Sequence, residues 1–95
     1  MLQFTTIRQG SGGTLEARDG DTLVGLITFV PSGPQTIDLN HTEVFPAYEG
    51  RGYGRQLVRA AVEFSRSEGW KLRASCPYAR KVLDHTPEFA DVISP

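Results

Sequence analysis

With a single cysteine, Cys76, this chain has no internal disulfide to make. It also lacks any apolar run long enough to cross a bilayer. The start, Met1-Leu2-Gln3-Phe4, has neither the basic segment nor the apolar stretch of a secretory signal. Together these absences predict a cytoplasmic protein with no membrane partner. There is no surplus of positive charge either. Ten Lys and Arg against eleven Asp and Glu leave a net charge of −1, so no general attraction for nucleic acid is expected. No repeat, low-complexity tract or linker interrupts the sequence. An apolar content of 39% with 22% charged residues is that of an ordinary folded domain. Ninety-five residues bury enough surface for one core, so the reading is one domain over residues 1–95, with one site.

The charges that are present are unevenly placed. Between Arg51 and Lys81 eight basic residues face only two acids, Glu63 and Glu68, a distribution compatible with a local anion site. Periodicity supplies the elements. Leu2–Ile7 alternates as a first strand, and Gln9-Gly10-Ser11-Gly12-Gly13 is expected to break regular structure after it. Leu15 and Ala17 alternate with charged neighbours, and Asp19-Gly20 precedes the apolar stretch Leu23–Val30, which reads as a hairpin with a primed turn. Pro31-Ser32-Gly33-Pro34 stops that strand. A further strand over 35–44 places Ile37, Leu39, His41 and Glu43 on one face by strict alternation, with Thr36, Asp38, Asn40, Thr42 and Val44 on the other. From Gly52 to Glu68 the spacing becomes helical, and Gly69 suits its end. Residues 70–75 return to a strand, which the intervening helix makes parallel to the strand over 35–44 if both lie in one sheet. Pro77 begins a short helix through His85, and Thr86-Pro87-Glu88 starts a last turn into Phe89. Trp70, Phe64 and Phe89 fall in or beside apolar periodic segments and are assigned to the core.

Glu49-Gly50-Arg51-Gly52-Tyr53-Gly54-Arg55 thus lies between a strand and an amphipathic helix. The first amides of a helix have no internal partners, and the helix dipole is positive there, so a phosphate can occupy the position. Glycines let the backbone approach a pyrophosphate, while Arg51 and Arg55 add charge. The spacing is neither that of a P-loop nor that of the dinucleotide fingerprint. A tight strand-to-helix turn with no ligand is the other reading of the same glycines.

The segment Val44 to Val58 resembles the acetyl-CoA-binding segment of the GNAT N-acetyltransferases, whose motif is Gln/Arg-x-x-Gly-x-Gly/Ala. Gly52 and Gly54 match its last two fixed positions, and Glu49 stands where Gln or Arg is usual. The stretches His41-Thr-Glu-Val and Cys76-Pro-Tyr-Ala-Arg-Lys extend the resemblance to a subgroup of very short GNAT-like proteins with a Cys-Pro-Tyr motif. The resemblance implies a mixed α+β, minimal GNAT-like fold. Mostly antiparallel N-terminal strands lead into a parallel β-α-β unit, and short helices follow. It implies acetyl-CoA as cofactor, held at Val44, Gly50, Arg51, Gly52, Tyr53, Gly54 and Arg55, and transfer to an amine of unknown identity. No metal is expected, and the chain is expected to be a monomer or weak homodimer.

Such transfer needs a neutral amine, a stabilised oxyanion and a proton for the departing thiolate. In the family a backbone amide of the splayed strand polarises the thioester carbonyl, which the resemblance places between His41 and Val44. His41 and Glu43 are the candidate bases, or else a packed histidine and a solvated acid. Cys76, ahead of a helix start where a thiol pKa falls, is the candidate nucleophile, or else a small buried hydrophobe. Tyr78 is the candidate proton donor. The wall of helices that most family members carry after their first strand has no counterpart between Arg8 and Thr14, nor do strands follow Cys76. An open acceptor site is therefore expected, suited to a protein amine or closed by a partner subunit. A noncatalytic CoA-binding module and a small interaction domain are the rival readings.

Overall fold

In a computed structural model, residues 2–10 and 12–94 are described. The first half of the chain forms an antiparallel meander: β1 (Leu2–Gln9), β2 (Gly12–Asp19), β3 (Thr22–Pro31) and β4 (Thr36–Val44). Gln9 pairs with Gly12 and Asp19 with Thr22, so both early connections are two-residue hairpins. The glycine-rich stretch after β1 therefore does not interrupt the sheet as expected. Gly10, at φ 66°, supplies the left-handed turn residue, and Gly12 and Gly13 enter β2. Ser11 of that connection lies outside the described residues.

After β4 comes a 3₁₀ turn at Pro46–Tyr48. Helix α1 (Tyr53–Glu68) then carries the chain back to β5 (Lys71–Ala74), which pairs parallel to β4 in the five-stranded order β1-β2-β3-β4-β5. Gly69, at φ 73°, ends α1 with its amide bonded to the Ser65 and Arg66 carbonyls. Helix α2 (Pro77–Asp84) and a 3₁₀ turn (Pro87–Val92) follow, and Ile93 makes one parallel bridge to Leu72. This mixed α+β architecture is the one expected.

One hydrophobic cluster joins the layers. Leu15, Ala17, Ile27, Phe29, Ile37 and Leu39 of the sheet meet Leu57, Val58, Ala61 and Val62 of α1, together with Ala79, Val82, Leu83, Phe89 and Val92. Phe89 is buried as expected, whereas Phe64 and Trp70 pack edge to face at the rim, with the Arg8 guanidinium over both rings. Arg66 ties the C-terminal turn to α1 by bonding Asp91 and the Glu88 carbonyl.

β4 departs from strict alternation. Phe29 faces Leu39 but Thr28 faces His41, so Asn40 is an extra residue, a β-bulge. Ile37 and Leu39 are buried as expected, but past the bulge the inner positions belong to Thr42 and Val44. His41 and Glu43 turn to the other face, where their side chains are 57% and 48% exposed. The expected grouping of His41 and Glu43 with Ile37 and Leu39 is thus corrected, and the physical reason is the one-residue slip that reverses every later side chain.

Candidate active site

Pairing between β4 and β5 stops soon after Leu39 and Ala74, and the last link is the Cys76 amide donating to the Leu39 carbonyl at 3.1 Å. Beyond it β4 runs on to Val44 while the other chain turns into α2, so the two parallel strands part. On the helix side of this gap lies a cleft of about 460 Å³, lined by Thr42 and Val44, by the Tyr48–Gly50 turn, by Gly52–Arg55 and by Tyr78.

The floor of the cleft is the start of α1. Gly50 and Gly52 have φ of 80° and 78°, and an added Cβ would meet nothing within 4 Å at either. Their requirement is therefore conformational, the left-handed region that a β-branched residue resists. Gly52 is the N-cap, no side chain caps the helix, and the first intrahelical bond runs from the Gln56 amide to the Gly52 carbonyl. The amides of Tyr53, Gly54 and Arg55 thus precede the helical ladder, at the positive end of a 16-residue dipole. Gly54 is glycine for another reason. Its backbone is ordinary helix, but an added Cβ would fall 2.7 Å from the Tyr78 hydroxyl oxygen and 2.9 Å from the ring. The missing side chain seats Tyr78 on the first turn of α1. Of the residues expected at the cofactor, Val44, Gly50, Gly52, Tyr53, Gly54 and Arg55 line this cleft, whereas the Arg51 guanidinium stacks over the Tyr48 ring at 5.5 Å. Glu49 lines the cleft as well.

Cys76 sits at the head of the gap as the N-cap of α2, 9% exposed, its Sγ 3.5 Å from Thr42 Oγ1. Burial pushes the thiol pKa up. The Ala79 amide, the Thr42 hydroxyl and the amides of Tyr78 and Thr42 outweigh that and hold it below the ordinary value. Burial pushes the Tyr78 hydroxyl up, and the Arg55 charge offsets part of the rise.

His41 and Glu43 lie across the sheet from these groups, with His41 Nε2 3.3 Å from Glu43 Oε1. The gap therefore separates Cys76, Thr42 and Tyr78 on the helix side from His41 and Glu43 on the open side. Thr42 is the residue that alternation misses. No sequence signal marks it, because a bulge decides which way it points. His85 caps the end of α2, its Nδ1 2.8 Å from the Lys81 carbonyl.

A parallel pair that opens beside a glycine-started helix, behind an antiparallel meander, is the arrangement of the GCN5-related fold. The GCN5-related N-acetyl-transferase family model matches residues 14–92, and the chain belongs to that family. It is similar to protein NATD1 of Xenopus tropicalis, 40% identical over 55 residues, 58% of this chain and 50% of the relative. The chain thus spans about half the length of the curated relatives that it matches. A GCN5-like protein from Staphylococcus aureus superposes with a TM-score of 0.72 at 25% identity, over 95% of this chain and 87% of that one. A Bacillus subtilis acetyltransferase solved in complex with CoA shares the fold with the same TM-score at 18% identity, over 88% and 74% of the chains.

Proposed function

We propose that this protein is a small acetyl-CoA-dependent N-acetyltransferase of the Cys-Pro-Tyr subgroup. One observation carries the reading: the uncapped start of α1 opens on a cleft at the point where β4 and β5 part, with Cys76 at the fork. The pyrophosphate of CoA fits the open space above Gly50 and Gly52, against the amides of Tyr53 to Arg55, with Arg55 adding charge. Family membership and the likeness to a CoA complex support that ligand.

Acetyl-CoA supplies an acetyl thioester. The Cys76 thiolate, held by Thr42 and the α2 amides, takes the acetyl carbon as the bond to the departing sulfur breaks, and Tyr78 gives that sulfur its proton. The amine acceptor then approaches from the open face. It loses its ammonium proton to His41, which Glu43 orients, and attacks the acetyl carbon. The Cys76 sulfur departs as the thiolate, the second amine proton returns to the Tyr78 oxygen that gave its own to CoA, and His41 releases its proton to solvent. The exposure of His41 and Glu43 suits a large acceptor such as a protein amine.

The test is calorimetric titration with CoA and acetyl-CoA, followed by intact-mass measurement of the acetyl-CoA mixture for wild type and Cys76→Ala. Saturable binding with an acetyl adduct that the variant lacks is expected. Binding without an adduct leaves direct transfer or simple carriage, and absence of binding at millimolar ligand sinks the assignment.

A further inference from the structure

A second concavity lies away from the cofactor cleft. About 650 Å³ lies against the opposite face of the sheet, lined in part by Val30, Asp38, Arg73, Ser75, Arg80 and Ser94. Val30, Asp38 and Arg73 are in register across β3, β4 and β5. They alternate with buried Phe29, Ile37, Leu39 and Leu72, so their side chains rise from the face that the helical core does not cover. Leu83 and Ile93 give the cavity an apolar wall. Ser75, directly before Cys76, reaches across to Asp38 at 2.5 Å, so the cavity ends at the fork of the strands.

Its charges are unequally committed. Asp38 accepts from Ser75, and Asp84 accepts from Arg80 Nε at 3.3 Å. Arg80, which lines the cavity, spends one donor, Nε, on Asp84. Arg73 stands beside Asp38 in the register, yet its side chain has no hydrogen-bond or ion-pair partner among the described residues. Both acids therefore have donors already, and the donors left over are guanidinium groups, whose planar fork suits a carboxylate or phosphate.

We propose that this cavity holds an anionic group of the acceptor, so that the preferred acceptor is an amine bearing a carboxylate or phosphate. This rests on the acetyltransferase reading. Cys76 follows Arg73 by three positions, roughly 10 Å of extended chain, which sets the separation of anion and amine. A peptide with an acidic side chain close to its free amino group has that form.

The probe is ω-aminooctanoate, which spans this length, compared with ω-aminooctanamide and an ω-aminoalkyl phosphate by NMR titration of the full chain loaded with CoA. The acid is expected to bind at least tenfold tighter than the amide and to shift the amides of Arg73, Ser75 and Ser94. Arg73→Gln is expected to abolish that preference while CoA affinity stays unchanged. If the phosphate binds tighter than the carboxylate, the natural group is a phosphate; the reverse order assigns a carboxylate. Equal binding of acid and amide, or a preference that survives Arg73→Gln, overturns the proposal and leaves the CoA site standing. A wild-type chain that binds no CoA overturns both.

Discussion

The two faces of the sheet use the same strands in opposite ways. On the inner face Cys76 is buried against Thr42, and Tyr78, itself exposed, lies on the first turn of α1 at the rim of the cleft. On the outer face the polar groups are more exposed and pair with one another: Thr28 with Asn40 at 2.6 Å, and His41 with Glu43 at 3.3 Å. A face that excludes water strengthens each dipole it aims at a ligand, whereas an exposed face can exchange protons with solvent and admit a bulky partner. The division suits the two-substrate chemistry proposed above, in which the acyl donor is held on one side and the acceptor meets it through the gap.

The sharpest way to break the inner half of this comparison is Gly52→Val. A β-branched residue at φ 78° should distort the turn that presents the α1 amides, and CoA affinity is expected to fall about a hundredfold by calorimetry, near 3 kcal/mol. Undiminished affinity would remove the helix start from the cofactor site. His41→Ala tests the outer half. Transfer should slow by about a hundredfold, the lower end for loss of a general base, with CoA affinity unchanged. A parallel loss of CoA affinity would show that the two faces do not act separately.

A smaller effect sharpens the inner face further. Thr42→Val removes a hydroxyl that helps hold the Cys76 thiol below its ordinary pKa, but keeps the Thr42 amide. The pH midpoint of Cys76 alkylation by iodoacetamide should rise toward the ordinary thiol range near about 8.5. The folded-state pKa is the lower one, so the thiolate's contribution to stability is complete above the unfolded value and disappears as pH falls through the folded value. Urea unfolding in the variant should show a weaker pH dependence across that window. An unmoved midpoint would mean that the backbone amides alone hold the thiolate.

The glycine-rich start of α1, its amphipathic stripe and the stop at Gly69 were all legible in the sequence, because each depends on local backbone preference and a 3.6-residue period. Cys76 at a helix start was legible for the same reason, since Pro77 marks the first turn. Two features were not. The hairpin at Gly10 was hidden among glycines that usually break a strand, and only pairing of Gly12 and Gly13 with β1 makes them part of the sheet. The direction of Thr42 was hidden because a bulge has no periodic signature.

What the sequence by itself determined is therefore the order of elements, the helix start that offers its amides, and the thiol ahead of α2, since these follow from residues adjacent in the chain. Which side chains share the gap was decided by tertiary structure alone. An extra residue opposite β3 at Asn40 turned Thr42 inward and His41 outward, and packing of α2 on α1 brought Tyr78 onto Gly54. Both depend on contacts between segments distant in sequence, where register and not composition sets the direction of each side chain.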